Sequence, residues 1–340
     1  MIGTFKLPVT AGGSTSGDYL VRFIDFDGTI LKEQWVNEGQ AATAPTVPTH
    51  DLLTFDEWNN DFSNITGDLD VGATYRTTTG HSYLFLSFTV PHRLTPSLYL
   101  NKSTTDVLNV YDNTSGALLG TSSASGNVTI NLTFEAVGDY VIRIECAGVY
   151  TFQSYLFGNG LNYELILRKV FIGDSVQSIG NYTFYNCYAL QSVVIPSSVT
   201  SIGTYAFYYC SALQSVVIPS SVTSIGNYTF YNCSALQSVV IPSSVTSIGT
   251  YAFYYCSALQ SVVIPSSVTS IDTYAFYYCT KMQEYIFEPT TPPTLASTNA
   301  FTGIIAVCKI YVPDASVDAY KAATNWATYA SYIYPISSRP

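Results

Sequence analysis

Charge is what this sequence has least of. Of 340 residues only 11% are Asp, Glu, Lys or Arg, with 13 cations against 23 anions and a formal net charge of −10. The cations are scattered and form no basic stripe, which excludes the electrostatic footprint of a nucleic-acid binder. Nothing reads as a basic amphipathic membrane helix. Long apolar runs are lacking as well. Hydrophobic residues make up 47% and the mean hydropathy is +0.21, yet no run of about 18 apolar residues exists, so no transmembrane helix and no membrane insertion are expected. His50, His81 and His92 are the only histidines. None stands at a metal-ligand spacing or near a Gly-x-Ser-x-Gly elbow. No phosphate-binding Gly loop is present, and Asp106, Asp112 and Asp139 lack the loop pattern of a Ca²⁺ site. No metal, cofactor or catalytic residue is therefore expected. The opening stretch Met1-Ile-Gly-Thr-Phe-Lys-Leu-Pro8 lacks the charged region and apolar core of a signal peptide.

What the sequence has instead is repetition. Leu167, Leu190, Leu213, Leu236 and Leu259 open five tandem copies of 23 residues over residues 167–281. A degenerate sixth copy, Met282–Ile304, reads at the same length. A strict period in this range implies a solenoid, because one such unit cannot bury its apolar face alone. The fifth copy runs Leu259-Gln-Ser-Val-Val-Ile-Pro-Ser-Ser-Val-Thr-Ser-Ile and then Asp272-Thr-Tyr-Ala-Phe-Tyr-Tyr-Cys279. Leu259, Val262 and Ile264 predict a short strand facing a core. Pro265 ends it, Ser266 and Ser267 begin a turn, and Val268 and Ile271 point back inward. Ala275, Phe276 and Cys279 predict one or two helical turns that close the coil. Neighbouring coils then pair edgewise, about 4.8 Å apart.

Five of the seven cysteines, Cys187, Cys210, Cys233, Cys256 and Cys279, recur at the repeat period. One Cys per repeat at constant spacing predicts a ladder of small buried thiols rather than a disulfide framework. From Leu190 to Ala258 there is no Asp, Glu, Lys, Arg or His. The strand positions facing away from the core offer Gln191, Ser192 and Val194, Gln214, Ser215 and Val217, Gln237, Ser238 and Val240, and Gln260, Ser261 and Val263. They make up a candidate ligand face. The closing segments offer an alternative face of Tyr205, Tyr208, Tyr209, Tyr228, Tyr231, Tyr251, Tyr254 and Tyr255. Two forms alternate there, Asn-Tyr-Thr-Phe-Tyr-Asn-Cys and Thr-Tyr-Ala-Phe-Tyr-Tyr-Cys. Tyr-, Ser- and Asn-rich surfaces suit adaptable recognition, while the plainer reading has Tyr filling gaps between coils.

The motif Ile-Pro-Ser-Ser-Val-Thr-Ser-Ile-Gly-x-Tyr-Ala-Phe-x-x-Cys resembles the bacterial leucine-rich-repeat family of BspA-like surface antigens. The stretch from Lys309 through Pro313, Asp314 and Tyr320 to Trp326 resembles that family's terminal cap, and Asp314 after Pro313 is a plausible helix N-cap. The likeness covers about half the chain.

Before the repeats, Tyr19–Lys32 alternates around Asp27-Gly28, a hairpin signal. With Trp58, Phe62 and Val71–Tyr75 it resembles the β-grasp module of the internalin B-repeat type, with Phe23, Trp58 and Tyr75 as expected core aromatics. Asp25-Phe26-Asp27-Gly28-Thr29 also matches the first motif of haloacid-dehalogenase-type phosphotransferases, whose two Asp residues work beside Mg²⁺. Nothing after it supplies the alternating βα context that the motif needs. Residues 79–158 show short alternating runs separated by turn signals, as in a β-sandwich.

The expected fold class is mainly β and multidomain. It comprises a flexible segment 1–17, a β-grasp module 18–78, a β-sandwich 79–158, a leucine-rich-repeat solenoid 159–313 and a short helical cap 314–340. The expected function is non-enzymatic: extracellular binding or adhesion at a cell surface, with a host or bacterial surface protein or glycan as partner. A bacteriophage tail-tip or fibre protein, homo-oligomeric in the virion, is the alternative. The phosphatase reading is the weakest of the three.

Overall fold

The computed structural model describes residues 18–25, 29–49, 53–65, 68–77, 83–90, 96–102, 106–113, 115–146, 150–152, 166–173 and 176–339. Residues 1–17, residues 26–28 and all three histidines lie outside these residues.

Four strands build the N-terminal module: β1 (Asp18–Ile24), β2 (Ile30–Asn37), β3 (Leu53–Trp58) and β4 (Leu69–Thr77). Strand β1 pairs antiparallel with β2 and parallel with β4, and β4 pairs antiparallel with β3. The expected antiparallel pairing of the strands flanking Asp27-Gly28 is thus formed, while those two residues lie outside the described ones. Alternation sets the two faces of the sheet. Val21, Phe23, Val36 and Val71 point to the module's own core with Ala42 and Ile65. Phe23 meets the edges of Trp58 and Phe62 at 5.0 and 5.2 Å. Trp58 is half-buried, and the Tyr75 side chain lies outside the described residues. Residues 38–49 run without helix. The opposite face, with Arg22, Ile24, Asp70 and Gly72, is turned to the repeats.

The middle region supplies β5 (Tyr83–Val90), β6 (Ser97–Lys102), β7 (Leu108–Asp112), β8 (Leu118–Ser122), β9 (Gly126–Asn131), β10 (Gly138–Cys146), β11 (Tyr150–Phe152) and β12 (Ile166–Phe171). Strands β12-β5-β10-β7-β8 lie side by side in one sheet, and β11-β6-β9 form a second. Leu98, Leu100, Val128 and Ile130 of the small sheet share a core with Leu86, Leu108, Val110, Ile142 and Ile144 of the large one. A buried Lys102 survives there because its Nζ donates to the carbonyls of Asp106 and Ser122.

Strand β12 joins two structures. It pairs antiparallel with β5 and parallel with Ser192–Val194, the first strand of the second coil. The large sheet therefore runs into the repeats, covers their first edge and shares one continuous core with them. Each coil contributes a strand such as Ser215–Val217 or Ser261–Ile264, a Pro turn, and a two-residue strand such as Ser247–Ile248. In the turns Val199, Val222, Val245 and Val268 amides donate to the carbonyls of Pro196, Pro219, Pro242 and Pro265. Ser198, Ser244 and Ser267 hydroxyls bond back to the preceding coil at 2.6–2.8 Å.

The closing segments are not helical. Their amides alternate between a partner three residues back, as Tyr208 N to Tyr205 O at 3.2 Å, and a partner in the next coil, as Phe207 N to Thr229 O at 2.9 Å. An α-helix would need every amide to bond within the segment. The zigzag is bought with left-handed backbone at two positions per coil: Tyr205 and Tyr209 have φ of 60° and 58°, and Tyr228 and Asn232 have 56° and 55°.

The two alternating forms lock to each other. Asn181 Oδ1 accepts from Thr204 N at 2.8 Å, and Asn227 Oδ1 from Thr250 N at 2.9 Å. Gly203 and Gly249 make this close approach feasible, since a Cβ there would stand 2.6 and 2.5 Å from those oxygens. The fifth coil follows Thr250 rather than an Asn. It carries Asp272 in place of the glycine, and this side chain supplies the acceptor for Thr273 N within its own coil, at 2.7 Å.

The sixth coil departs from the expected length. Ser261 pairs with Glu284, but Glu284 pairs with Lys309, two residues beyond the repeat step. The cap that follows is more than a helix. A short helix α1 (Val317–Ala322) and a 3-10 segment Trp326–Tyr332 place Tyr320, Trp326 and Tyr329 against Phe287 and Phe301. Strand Ile333–Pro335 then pairs with Lys309–Val312. Asp314 is not the N-cap of α1, which is Ser316; its carboxylate accepts from Ser337 N at 3.0 Å instead. Among the described residues no helix is long and apolar enough to cross a membrane.

Candidate functional site

The strand face of the solenoid is not bare. Val194, Val217, Val240 and Val263, expected on an open ligand face, are only 2%, 5%, 1% and 5% exposed. The N-terminal module lies across them. Ile24 packs with Val217 and Val240, and Ala73 packs with Val194 beside Phe55, Trp58 and Phe171. Gly72 permits the closest approach, because a Cβ on it would stand 2.5 Å from Val217 Cγ1.

Polar groups fix the register of this contact. Asn59 Nδ2 donates to Ile218 O at 2.9 Å while its Oδ1 accepts from Gly72 N at 2.6 Å. Asn60 Oδ1 accepts from Ser243 N at 2.7 Å and its Nδ2 donates to Asp70 O at 2.7 Å. Ser197 and Ser220 hydroxyls donate to Asp56 and Glu57. At the C-terminal end Arg339 holds Glu284 through two bonds at 2.8 and 3.0 Å and also donates to Asp68, so the chain's last turn ties the module down. Burial pushes the Asp68 carboxyl above its ordinary value, against the lowering pull of Arg339.

The polar members of the expected face fare differently. Gln191, Gln214, Gln237 and Gln260 remain exposed, Ser192, Ser238 and Ser261 are half-buried, and Ser215 is buried. Gln214, Gln237, Gln260, Ser238 and Ser261 form the floor of a cleft of about 210 Å³, whose wall is Arg22, Ile24, Ile30, Glu33 and Asp70 of the module. Arg22 is fixed by two bonds to Asp70 at 2.6 and 2.8 Å, and its Nη1 reaches Ser261 Oγ at 3.3 Å. These wall residues had no place in the sequence reading. The signal available was alternation in β1, which sets Arg22 and Ile24 opposite the core residues Val21 and Phe23. A second groove of about 430 Å³ runs along the two-residue strands past Ser224, Ser247 and Ser270; its one acid, Asp272, is engaged as described above.

The expected Tyr face is a set of stacked columns. Tyr182, Tyr205, Tyr228, Tyr251 and Tyr274 have ring centroids 4.7, 4.5, 4.7 and 4.8 Å apart. Tyr185, Tyr208, Tyr231, Tyr254 and Tyr277 follow at 4.9, 4.6, 4.6 and 5.0 Å. Ring faces are spent on each other, so the wall offers edges and hydroxyls. Tyr255 and Tyr209 stand at the third position, Tyr255 exposed and Tyr209 half-buried. Burial, then neighbouring phenols, push the Tyr208 hydroxyl up to about 12.

Cys187, Cys210, Cys233, Cys256 and Cys279 are buried and free. From Cys210 onward each Sγ donates to the Phe carbonyl of the preceding coil at 3.2 or 3.3 Å. Burial raises every one of these thiols above its ordinary value. Asp25 of the phosphotransferase-like motif is buried at the end of β1, where its amide donates to Thr29 O at 2.8 Å. It sits at a hairpin between antiparallel strands rather than at a strand-to-helix junction. Among the described residues no group of three or more His, Cys, Asp or Glu is placed to hold a metal ion.

A stack of short parallel strands with one buried Leu and one buried Phe column per turn defines a leucine-rich-repeat solenoid. Residues 150–283 match the family model of the BspA type leucine rich repeat region in six copies. No curated protein matches the chain. Solved structures similar to it include a leucine rich cell surface protein from Faecalibacterium prausnitzii, at 27% identity over 51% of this chain and 61% of that one, with a TM-score of 0.37. The leucine rich repeat protein of T. pallidum is similar at 24% identity over 49% of this chain and 74% of that one, with a TM-score of 0.39. A leucine-rich repeat protein from Eubacterium ventriosum is similar at 25% identity over 45% and 46%, with a TM-score of 0.37. The chain therefore spans under two thirds of the first of these.

Proposed function

We propose that the protein is a non-enzymatic binding or adhesion protein of a bacterial cell surface, with the repeats as the recognition element. The observation that carries this reading is the BspA-type array itself, whose middle coils present carboxamides, hydroxyls and phenols but no charge. Such a surface recognises by shape and hydrogen bonds rather than by ion pairing. A relative named as a leucine rich cell surface protein supports the location. In this reading the four-stranded module is a β-grasp variant, and the two-sheet middle region is a β-sandwich that sets the array away from its attachment. The partner is a surface protein or glycan of a host or a neighbouring bacterium.

The test is binding of the labelled full chain to host epithelial cells and to immobilised extracellular-matrix and mucus proteins. Saturable binding that unlabelled protein competes away is expected. Uniform failure to bind any of these surfaces would remove the proposal.

A further inference from the structure

We propose that the cleft between β2 and the Gln214–Gln237–Gln260 ladder binds a neutral, hydroxyl-rich saccharide chain. The proposal rests on the binding reading above and narrows it to a place and a ligand class.

The floor is a periodic row of hydrogen-bonding heads. Gln214, Gln237 and Gln260 are exposed and succeed one another at the coil spacing, about 4.8 Å. Each carboxamide offers donor and acceptor together, which matches the paired hydroxyls of a sugar ring. Ser238 and Ser261 add hydroxyls beside them. Part of the backbone of this face is already engaged, since Gln237 N donates to Gln214 O at 2.8 Å and Gln214 N to Gln191 O at 3.2 Å.

The wall sets the charge. Arg22 is neutralised by Asp70 at 2.6 Å and held rigid, so it can donate to a hydroxyl without attracting a free anion. Glu33, opposite Arg22 in the strand register, leaves the cleft with one net negative charge. Anionic sugars are thereby disfavoured. Ile30, 39% exposed, gives an apolar surface for ring C–H groups. Two residues beyond Glu33 on the same face of β2, Trp35 is 38% exposed and continues this surface with an aromatic ring. A volume of about 210 Å³ is small for a compact ligand and suits successive rings of a chain laid along the ladder.

The experiment is titration calorimetry of the full chain with cellohexaose, xylohexaose, mannohexaose and N-acetylchitohexaose, and with hexagalacturonate as the anionic probe. At least one neutral hexasaccharide is expected to bind. Gln237→Ala and Trp35→Ala should each weaken it about tenfold, the scale of one well-formed polar or aromatic contact, with unchanged circular dichroism. Hexagalacturonate should bind at least about tenfold more weakly, a gap that Glu33→Gln narrows. Absence of binding to all four neutral sugars, or binding indifferent to Gln237→Ala, overturns the proposal. Cell adhesion of the same variants separates the two levels: adhesion untouched by Gln237→Ala sinks the cleft alone, while no adhesion by the unaltered chain sinks the wider reading.

Discussion

Replacing Gly72 by Ala tests whether the N-terminal module is truly built onto the solenoid. The added Cβ would stand 2.5 Å from Val217 Cγ1, 3.2 Å from Cγ2 and 3.3 Å from Asn59 Nδ2. The first is closer than carbon atoms come without displacement, and both partners are fixed. Val217 sits in a strand paired with Ser238–Val240 of the next coil, and Asn59 bonds to Ile218 O at 2.9 Å. Overpacking of this kind costs about 1–3 kcal/mol. If β4 lifts instead, Asn59 loses a buried bond, for about 1–3 kcal/mol. By either route a destabilisation of about 1–3 kcal/mol follows, read as a fall in the midpoint of thermal or denaturant unfolding. Hydrogen exchange should rise at residues 215–218 and 238–243. Val217→Ala removes both Cγ atoms and leaves room for the new methyl, so the double variant should regain about 1–3 kcal/mol relative to additivity. Additive single variants, or Gly72→Ala with unaltered stability and exchange, would refute the argument that the two parts are in close contact.

Other expectations can be checked in the same material. Tyr231→Ala breaks two stacks at 4.6 Å and should cost about 2–4 kcal/mol, whereas Tyr231→Phe should cost under about 1 kcal/mol by chemical unfolding. The five ladder thiols should resist a water-soluble thiol reagent at pH 8 in the folded protein and all react once unfolded, as mass spectrometry of the labelled sites would show. Glu288 is held up to about 8 by burial, against an ordinary 4.5. The folded state therefore binds the proton more tightly than the unfolded chain, so its contribution is complete below the ordinary value and is lost as pH rises towards 8. Between pH 5 and 8.5 the unfolding free energy from chemical denaturation should fall with a slope of at most about 1.4 kcal/mol per pH unit, and Glu288→Gln should flatten that slope.

Much of the solenoid was legible because a repeat states its pattern several times over. The inward Leu259, Val262 and Ile264, the Pro265 turn and the thiol ladder follow from one copy and a period. Two features were not. The closing segments read as helix because Ala-Phe-x-x-Cys has helical spacing, yet Asn186 and Asn232 alternate with Tyr209 and Tyr255 at one position. Asn tolerates left-handed backbone, so this alternation was the available hint of a turn. Val194, Val217, Val240 and Val263 read as outward because they alternate with inward residues, which is correct for the strand. What covers them comes from residues far away in the chain, and nothing local to Gly72 or Asn59 announces that contact. A row of valines facing water in a solenoid was itself the anomaly. The wall of the cleft was hidden for the same reason, since Arg22 and Glu33 belong to a module that looks self-sufficient.

The Asn-to-Thr lock between unlike coils has a consequence for how such an array changes size. Removing one coil would set two coils of the same form side by side, leaving either a Thr amide without its acceptor or an Asn side chain against another Asn form. Removing two restores every junction. The natural unit of duplication and loss here is thus a pair of coils, and a lone odd step survives only where a substitution such as Asp272 mends the seam. Length variants in related genes, and engineered arrays, are expected to step by twos.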